Sequence, residues 1–378
     1  MNRYPAQTVL LDVHRPTWPG PRGALRYVPV LKSLPGELKA LSHASDMAWR
    51  RMTPLIEIAT KRGDNEVMRA QSVLARAGEE LAAVFSVDRG FFLDLRWVKY
   101  GLQVELKGGT KRRAIEHVLQ DVHAKALSCV AVVAPGQDPR IVKLIDEALE
   151  FAQRGVCVRV RLTGVVRGSR SALRAEIDAF LDELRISEGM VDLFLDLGFI
   201  GSGAPLTAKE IAELLEGLQP NQWRSVVLAG TVVPDTLKAI DEDTIGALAR
   251  YDWLIWRELD SLGIGRVSYG DYAVQHPIPP VEGSRGMRAN VRYTAGDHFL
   301  IARGTKISRG NYTQYHGLCK GIRGLKDFRG AAASWGEDEI VKCANGKTLP
   351  KAPSDWRAIG TSQHLEHVIR LLERTSAA

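Results

Sequence analysis

The chain of 378 residues has only four cysteines, Cys129, Cys157, Cys319 and Cys343. They form no CxxC pair, and no close Cys/His spacing recurs. That argues against a disulfide framework and against structural zinc. No apolar run approaches the ~18 residues of a membrane helix, so no membrane partner is expected. Residues 1–20 lack the long apolar core and small-residue cleavage site of a signal peptide. With reduced, scattered thiols, this predicts a cytoplasmic protein. No GxSxG follows a strand, so there is no nucleophile elbow. No strand end carries a histidine pair, which disfavours a zinc or di-metal hydrolase. "GFIGSG" (198–203) lacks the Lys-Ser/Thr of a P-loop, and its glycines are misspaced for a dinucleotide fingerprint. It reads as a tight turn. Internal repeats and low-complexity segments are missing too.

What the chain has is ordinary globular material, 45 % hydrophobic and 25 % charged, with a net charge of +7. Eight short apolar runs alternate with helical segments. The runs are 26–33, 53–60, 90–98, 128–135, 156–162, 191–198, 224–233 and 266–274. Near-continuous Val, Leu and Phe is the pattern of parallel strands covered on both faces. Helical spacing or capping marks 64–85, 109–127, 138–155, 170–186, 206–218, 243–262 and 360–374. Asp138–Pro139 reads as an N-cap with proline at the first helical position, and Thr207/Glu210 as a capping box. Eight strands alternating with helices predict a (β/α)8 barrel of the TIM type. An open doubly wound sheet is the alternative, because strand order is not written in one sequence.

Some 80 residues separate strand eight from the closing helix, too many for an ordinary loop. The expected organisation is a barrel at 1–275, an insertion at 276–358 and a closing helix at 359–378. Within the insertion, "NVRYTAGDHFLIARGTKI" (290–307) reads as a β-hairpin about Ala295-Gly296-Asp297, and 327–346 as helical. An insertion after a barrel strand emerges at the C-terminal face, where barrel active sites lie, so it reads as a lid or recognition element.

The charges inside the strands carry the functional signal. Residues two apart on a strand share a face. In "VCVRVRL", Cys157, Arg159 and Arg161 oppose Val156, Val158 and Val160. Phe92, Asp94 and Arg96 share a face, as do Asp192, Phe194 and Asp196, and Leu55 with Glu57. Lys32 follows Val28 and Val30. In strand eight the inner set is either Tyr269 with Asp271, or Ser268, Gly270 and Tyr272. Buried charges must pair, bind a ligand or meet water. The deeper pair, Arg159 with Asp192, reads as structural; Arg161 with Asp196 is an ion pair at the mouth or part of a site. The outer residues predict a mouth in which Lys32, Arg96, Arg161, Asp271 and His276 bind an anion. Glu57, Asp94 and Asp196 are then the candidate acid/base groups or Mg²⁺ ligands. In the insertion, Arg292, Arg303, Lys306 and Arg309, interleaved with tyrosines, form a candidate nucleic-acid surface.

"YVPVLKSLPGELKAL" (27–41) and "MTPLIEIA" (52–59) resemble the opening of the bacterial and phage "beta protein" family. "FFLDLRW" (91–97), "DLGFI" (196–200), "GDYAVQHP" (270–277) and "VRYTAGDHFLIARG" (291–304) extend the resemblance over most of the chain. It implies no established chemistry. It implies a setting in phages and mobile bacterial loci, hence a role in phage–host conflict with a protein partner from the same locus. Its matched positions Lys32, Glu57, Asp94 and Arg96 coincide with those chosen by parity. The function expected is binding, and phosphoester hydrolysis, of a phosphorylated or nucleotide-like anion at the barrel mouth. The alternative is a non-catalytic module that holds nucleic acid or protein on the basic insertion.

Overall fold

The computed structural model describes residues 27–59, 66–106, 108–162, 170–201, 206–280, 287–307 and 310–377. Eight parallel strands close into a barrel: β1 (Tyr27–Lys32), β2 (Leu55–Glu57), β3 (Phe91–Asp94), β4 (Cys129–Val133), β5 (Val156–Arg161), β6 (Val191–Phe199), β7 (Ser225–Thr231) and β8 (Val267–Asp271). Each pairs with its chain neighbours, and β1 closes on β8 with Tyr27 opposite Tyr269. The open-sheet alternative is thereby excluded. Parity holds around the barrel. Val28, Leu55, Phe92, Val132, Cys157 and Phe194 fill the lumen as one cluster, while their neighbours along each strand pack outward against the helices.

Local chemistry fixes the helices. The Asp138 side chain accepts from the backbone N–H of Arg140 at 3.0 Å and starts the helix Pro139–Leu149. Glu150, at φ 53°, ends it. Thr207 and Glu210 form the capping box that opens Ala208–Leu218. All four cysteines are buried free thiols. Among the described residues no helix is long and apolar enough to cross a membrane.

Two helical readings are corrected. Residues 244–249 form a strand, not the start of a helix, and the helix runs only from Tyr251 to Leu262. Lys111–Arg113 is likewise a short strand, paired with Gln103–Glu105, before the helix Ala114–Ala124. In the first case the partner is remote. Thr244–Ala249 adds antiparallel to His298–Lys306, the second strand of the expected hairpin, whose first strand is Arg288–Ala295.

The insertion has its own core. Val291, Tyr293, Ala302, Tyr315, Ile340 and Trp356 join the hairpin to the helices Gln314–Arg323 and Trp335–Ala344. The closing helix starts at Pro353 and runs to Ala377. It serves both units. One side lies against the first barrel helix, Pro35–Ser42, where Lys39 Nζ reaches Asp355 at 2.9 Å. Another side binds the hairpin: Gln363 exchanges two hydrogen bonds with the Thr294 backbone, and His367 Nε2 accepts from Gly296 N at 2.9 Å.

Candidate functional site

The inward face of β5 delivers Arg159 to the centre of the barrel's C-terminal end, wholly buried. Its Nη1 donates to Glu57 Oε1 at 2.8 Å and to Asp94 Oδ2 at 2.7 Å. Nε and Nη2 both donate to Asp196 Oδ2, at 3.1 and 2.9 Å. Nη2 also donates to the Tyr272 hydroxyl at 2.6 Å, and that hydroxyl donates to Asp196 Oδ1 at 2.7 Å. One guanidinium therefore gathers the three carboxylates that the sequence singled out, from strands β2, β3 and β6.

The expected partner of Arg159 was Asp192, and that pairing is overturned. Asp192 stands opposite Ser225 at the start of β7, at the other end of the barrel. There it accepts from the Ser225 hydroxyl at 2.6 Å and from Arg224. Arg159 points its long side chain the opposite way, toward the mouth.

Every oxygen of the three carboxylates is engaged. Glu57 Oε2 accepts from Trp97 Nε1 at 3.0 Å. Asp94 Oδ1 accepts from the Arg96 N–H at 2.8 Å, and Asp196 Oδ1 from the Gly198 N–H at 2.9 Å. Burial pushes all three upward. For Glu57, the charges of Arg159, Lys32 and Arg96 overcome it, and the group sits below its ordinary range. Arg159 and the Tyr272 hydrogen bond do the same for Asp196. For Asp94 burial wins and its pKa is raised. The three do not fit a Mg²⁺ ion where they stand. Their point of convergence is the Arg159 guanidinium, and among the described residues no group of three or more His, Cys, Asp or Glu is placed to hold a metal.

The cations are less fully used. Arg96 Nη1 is buried and makes no hydrogen bond. It lies 3.6 Å from Glu57 Oε1 and 3.6 Å from Asp196 Oδ2. Arg161, 44 % exposed, has Nε 3.7 Å from Asp196 Oδ2, one of the two arrangements the sequence left open. Lys32 Nζ stands 3.8 Å from Glu57 and donates to the His276 carbonyl at 3.1 Å. Burial lowers its pKa. Four cations thus face three carboxylates among the described residues. A cavity of about 340 Å³ opens onto Asp94, Arg96 and Arg159, walled by Val132 and the turn Ala134–Asp138.

Other expected residues lie elsewhere. Asp271 is not at the mouth. Tyr272 belongs to the inner face of that strand, which turns Asp271 outward into a second buried cluster. There it accepts from Tyr27 Oη at 2.8 Å and lies 2.7 Å from His364 Nε2 and 3.7 Å from Arg250. Arg303 is buried and donates to the Ile240 carbonyl, so it is no nucleic-acid contact. Arg292 is half-buried and donates to the Val274 carbonyl. Lys306 is exposed, and Arg309 lies outside the described residues. His276 is at the mouth, its ring 5.3 Å from that of Phe199. Trp97 is missed by the sequence reading: alternation over 90–98 puts it on the face opposite Asp94 and Arg96, but the strand ends at Asp94 and the turn beyond it brings the indole to Glu57.

No curated protein is similar enough to the chain to match it. Among solved structures, DHPS of Yersinia pestis, solved with a pterine-sulfa conjugate, aligns at 13 % identity and a TM-score of 0.37, over 66 % of this chain and 88 % of that one. A score that low carries no weight here, and the barrel stands on its own strand pairing. The family model for Beta protein matches residues 27–370, from β1 into the closing helix, and the chain belongs to that family.

Proposed function

We propose that the protein binds a phosphorylated or nucleotide-like anion at the C-terminal mouth of its barrel, gripped by Arg96 and Arg161 with Lys32 behind them. The observation that carries this reading is the unused hydrogen-bonding capacity of Arg96 Nη1, a buried cationic donor beside a cavity. Buried donors without partners are costly, so a ligand that accepts from one is favoured. Arg96 and Arg161 both lie within 4 Å of a single oxygen, Asp196 Oδ2, so their planar donor forks are close enough to share one anion.

Binding is favoured over phosphoester hydrolysis. A general base must reach a substrate proton and be basic enough to take it. Glu57, Asp94 and Asp196 all point at the Arg159 guanidinium, which holds Glu57 and Asp196 below their ordinary range. Asp94, the acid of raised pKa, is the group through which hydrolysis would run. The alternative of a nucleic-acid surface on the insertion loses support from the inward turn of Arg303 and Arg292. The family's phage setting makes phage–host conflict the biological context we attach to this reading.

A thermal-shift titration with inorganic phosphate, ribose 5-phosphate and AMP tests it. We expect phosphate-bearing probes to raise the melting temperature of the wild type and to lose that effect in Arg161→Ala and Arg96→Ala. A probe that stabilises wild type and both variants equally would refute the site.

A further inference from the structure

The last inward residue of β6 is displaced by a bulge. Asp196 pairs with Ala229, but the next pairs are Gly198 with Gly230 and Phe199 with Thr231. One residue of β6, Leu197, is extra. Partners across a parallel ladder face the same side, and Ala229 and Thr231 lie on the lumen side of β7. Without the bulge, Phe199 would point outward among the helices. With it, Phe199 swings back over the mouth. Bulges commonly re-aim a side chain in this way beside functional sites.

Phe199 is 41 % exposed, one of the few large apolar side chains in that condition among the described residues. Its ring meets the His276 imidazole at a centroid distance of 5.3 Å and an angle of 52°. The His276 backbone carbonyl is the group that receives Lys32 Nζ. The two rings and the cationic site thus share one rim of the barrel. Along the strand, Phe199 stands roughly 7–10 Å beyond Asp196, two to three residue rises. That is the scale of the reach from a nucleotide's phosphate to its base.

We infer that Phe199, with His276 beside it, is a stacking platform for a planar heteroaromatic ring, and that the ligand is a nucleotide whose phosphate sits at Arg96 and Arg161. This rests on the anion reading and narrows it from any phosphorylated molecule to one carrying a base. Every base has a π-face, so stacking alone makes the site tolerant of which base it takes. A half-exposed phenylalanine at the rim has little folding role, so its truncation should leave the barrel intact.

The test is calorimetric titration of wild type, Phe199→Ala and Phe199→Trp with AMP, UMP, ribose 5-phosphate and inorganic phosphate. The expected result is AMP and UMP binding at least tenfold tighter than ribose 5-phosphate in the wild type. Phe199→Ala should lose about tenfold in affinity for both nucleotides. It should leave ribose 5-phosphate unchanged, and Phe199→Trp should restore nucleotide affinity. If phosphate and ribose 5-phosphate bind but Phe199→Ala binds AMP as wild type does, the platform is wrong and the anion site stands. If no phosphate-bearing probe binds the wild type, both readings fall.

Discussion

Arg159 holds Asp196 with two nitrogens on one oxygen, Nε at 3.1 Å and Nη2 at 2.9 Å, between adjacent strands of the barrel. The same guanidinium bonds Glu57 and Asp94, so its removal takes a shared donor and charge from three buried carboxylates at once. Breaking a buried pair by deleting one partner costs about 3–5 kcal/mol. Arg159→Met should therefore lower stability by at least that much in urea at pH 7. The deficit should shrink as pH falls from about 7 toward 4, because burial without the Arg159 charge raises the orphaned acids above the ordinary carboxylate range and they take up protons there. An Arg159→Met protein as stable as wild type at pH 7 would show that the cluster is not held by this residue.

Arg161 should behave differently. It is nearly half exposed and meets Asp196 only at 3.7 Å, and exposed pairs contribute about 0–1 kcal/mol. Arg161→Ala should melt within a few degrees of wild type while losing the shift produced by phosphate-bearing probes. Arg161→Lys should recover that shift only in part, because an ammonium lacks the planar fork. Full recovery by lysine would mean that charge alone suffices.

The second buried cluster predicts two opposed pH slopes. Asp252 joins that cluster through the Tyr269 hydroxyl, which donates to it at 2.5 Å and accepts from Arg250 at 3.0 Å. Burial, reinforced by Asp271 against the pull of Arg250, raises Asp252 to about 6. Its folded form holds a proton that the unfolded chain has released, so it subtracts stability as pH rises from about 4 to 6. The amount is about 3 kcal/mol, at 1.36 kcal/mol per pK unit. Asp271 is the reverse case. Burial pushes it up, but His364 and Arg250 carry it down to about 2. Its contribution is present above about pH 4 and is lost as pH falls toward 2, about 2 kcal/mol. Denaturation midpoints across pH 2–7 should show both limbs. Asp252→Asn should flatten the upper one and be more stable than wild type at pH 7, whereas an unchanged upper limb in that variant would rule the assignment out.

Two glycines make a matched test of the insertion. A Cβ on Gly336 would lie 2.2 Å from the Ile359 carbonyl oxygen and 2.9 Å from Gln363 N, both backbone atoms of the closing helix. Gly336→Ala should cost about 1–3 kcal/mol or more. Gly317, on the neighbouring helix, has open space around it. Gly317→Ala should gain up to about 1 kcal/mol. Equal effects at the two sites would mean that the helices do not touch as described.

Strand alternation alone specifies most of the mouth. The inward set Lys32, Glu57, Asp94, Arg159 and Asp196 follows from period two alone, because a closed barrel buries one face of every strand. The hub was harder to see. Arg159 can reach up or down the lumen, and only the level of each acid along its strand settles which it meets. Asp271 was misplaced because alternation offered two inner sets for β8, and nothing local chooses between them. Residues 244–249 looked like a helical start because their strand partner lies some fifty residues further on. The bulge at Leu197 is equally silent in sequence, since it is a property of two strands and not of one.

The closing helix also bears on the order in which the chain can assemble. It covers the first barrel helix, yet some 310 residues separate them. During synthesis at ~5–20 residues per second, the face of Pro35–Ser42 carrying Leu38 and Leu41 waits on the order of tens of seconds for its cover. Until β8 (Val267–Asp271) has followed, the half-built sheet also has an unsealed edge at β1 exposed to other nascent chains. The barrel's last step is therefore a long-range docking event, and chaperone demand should concentrate there.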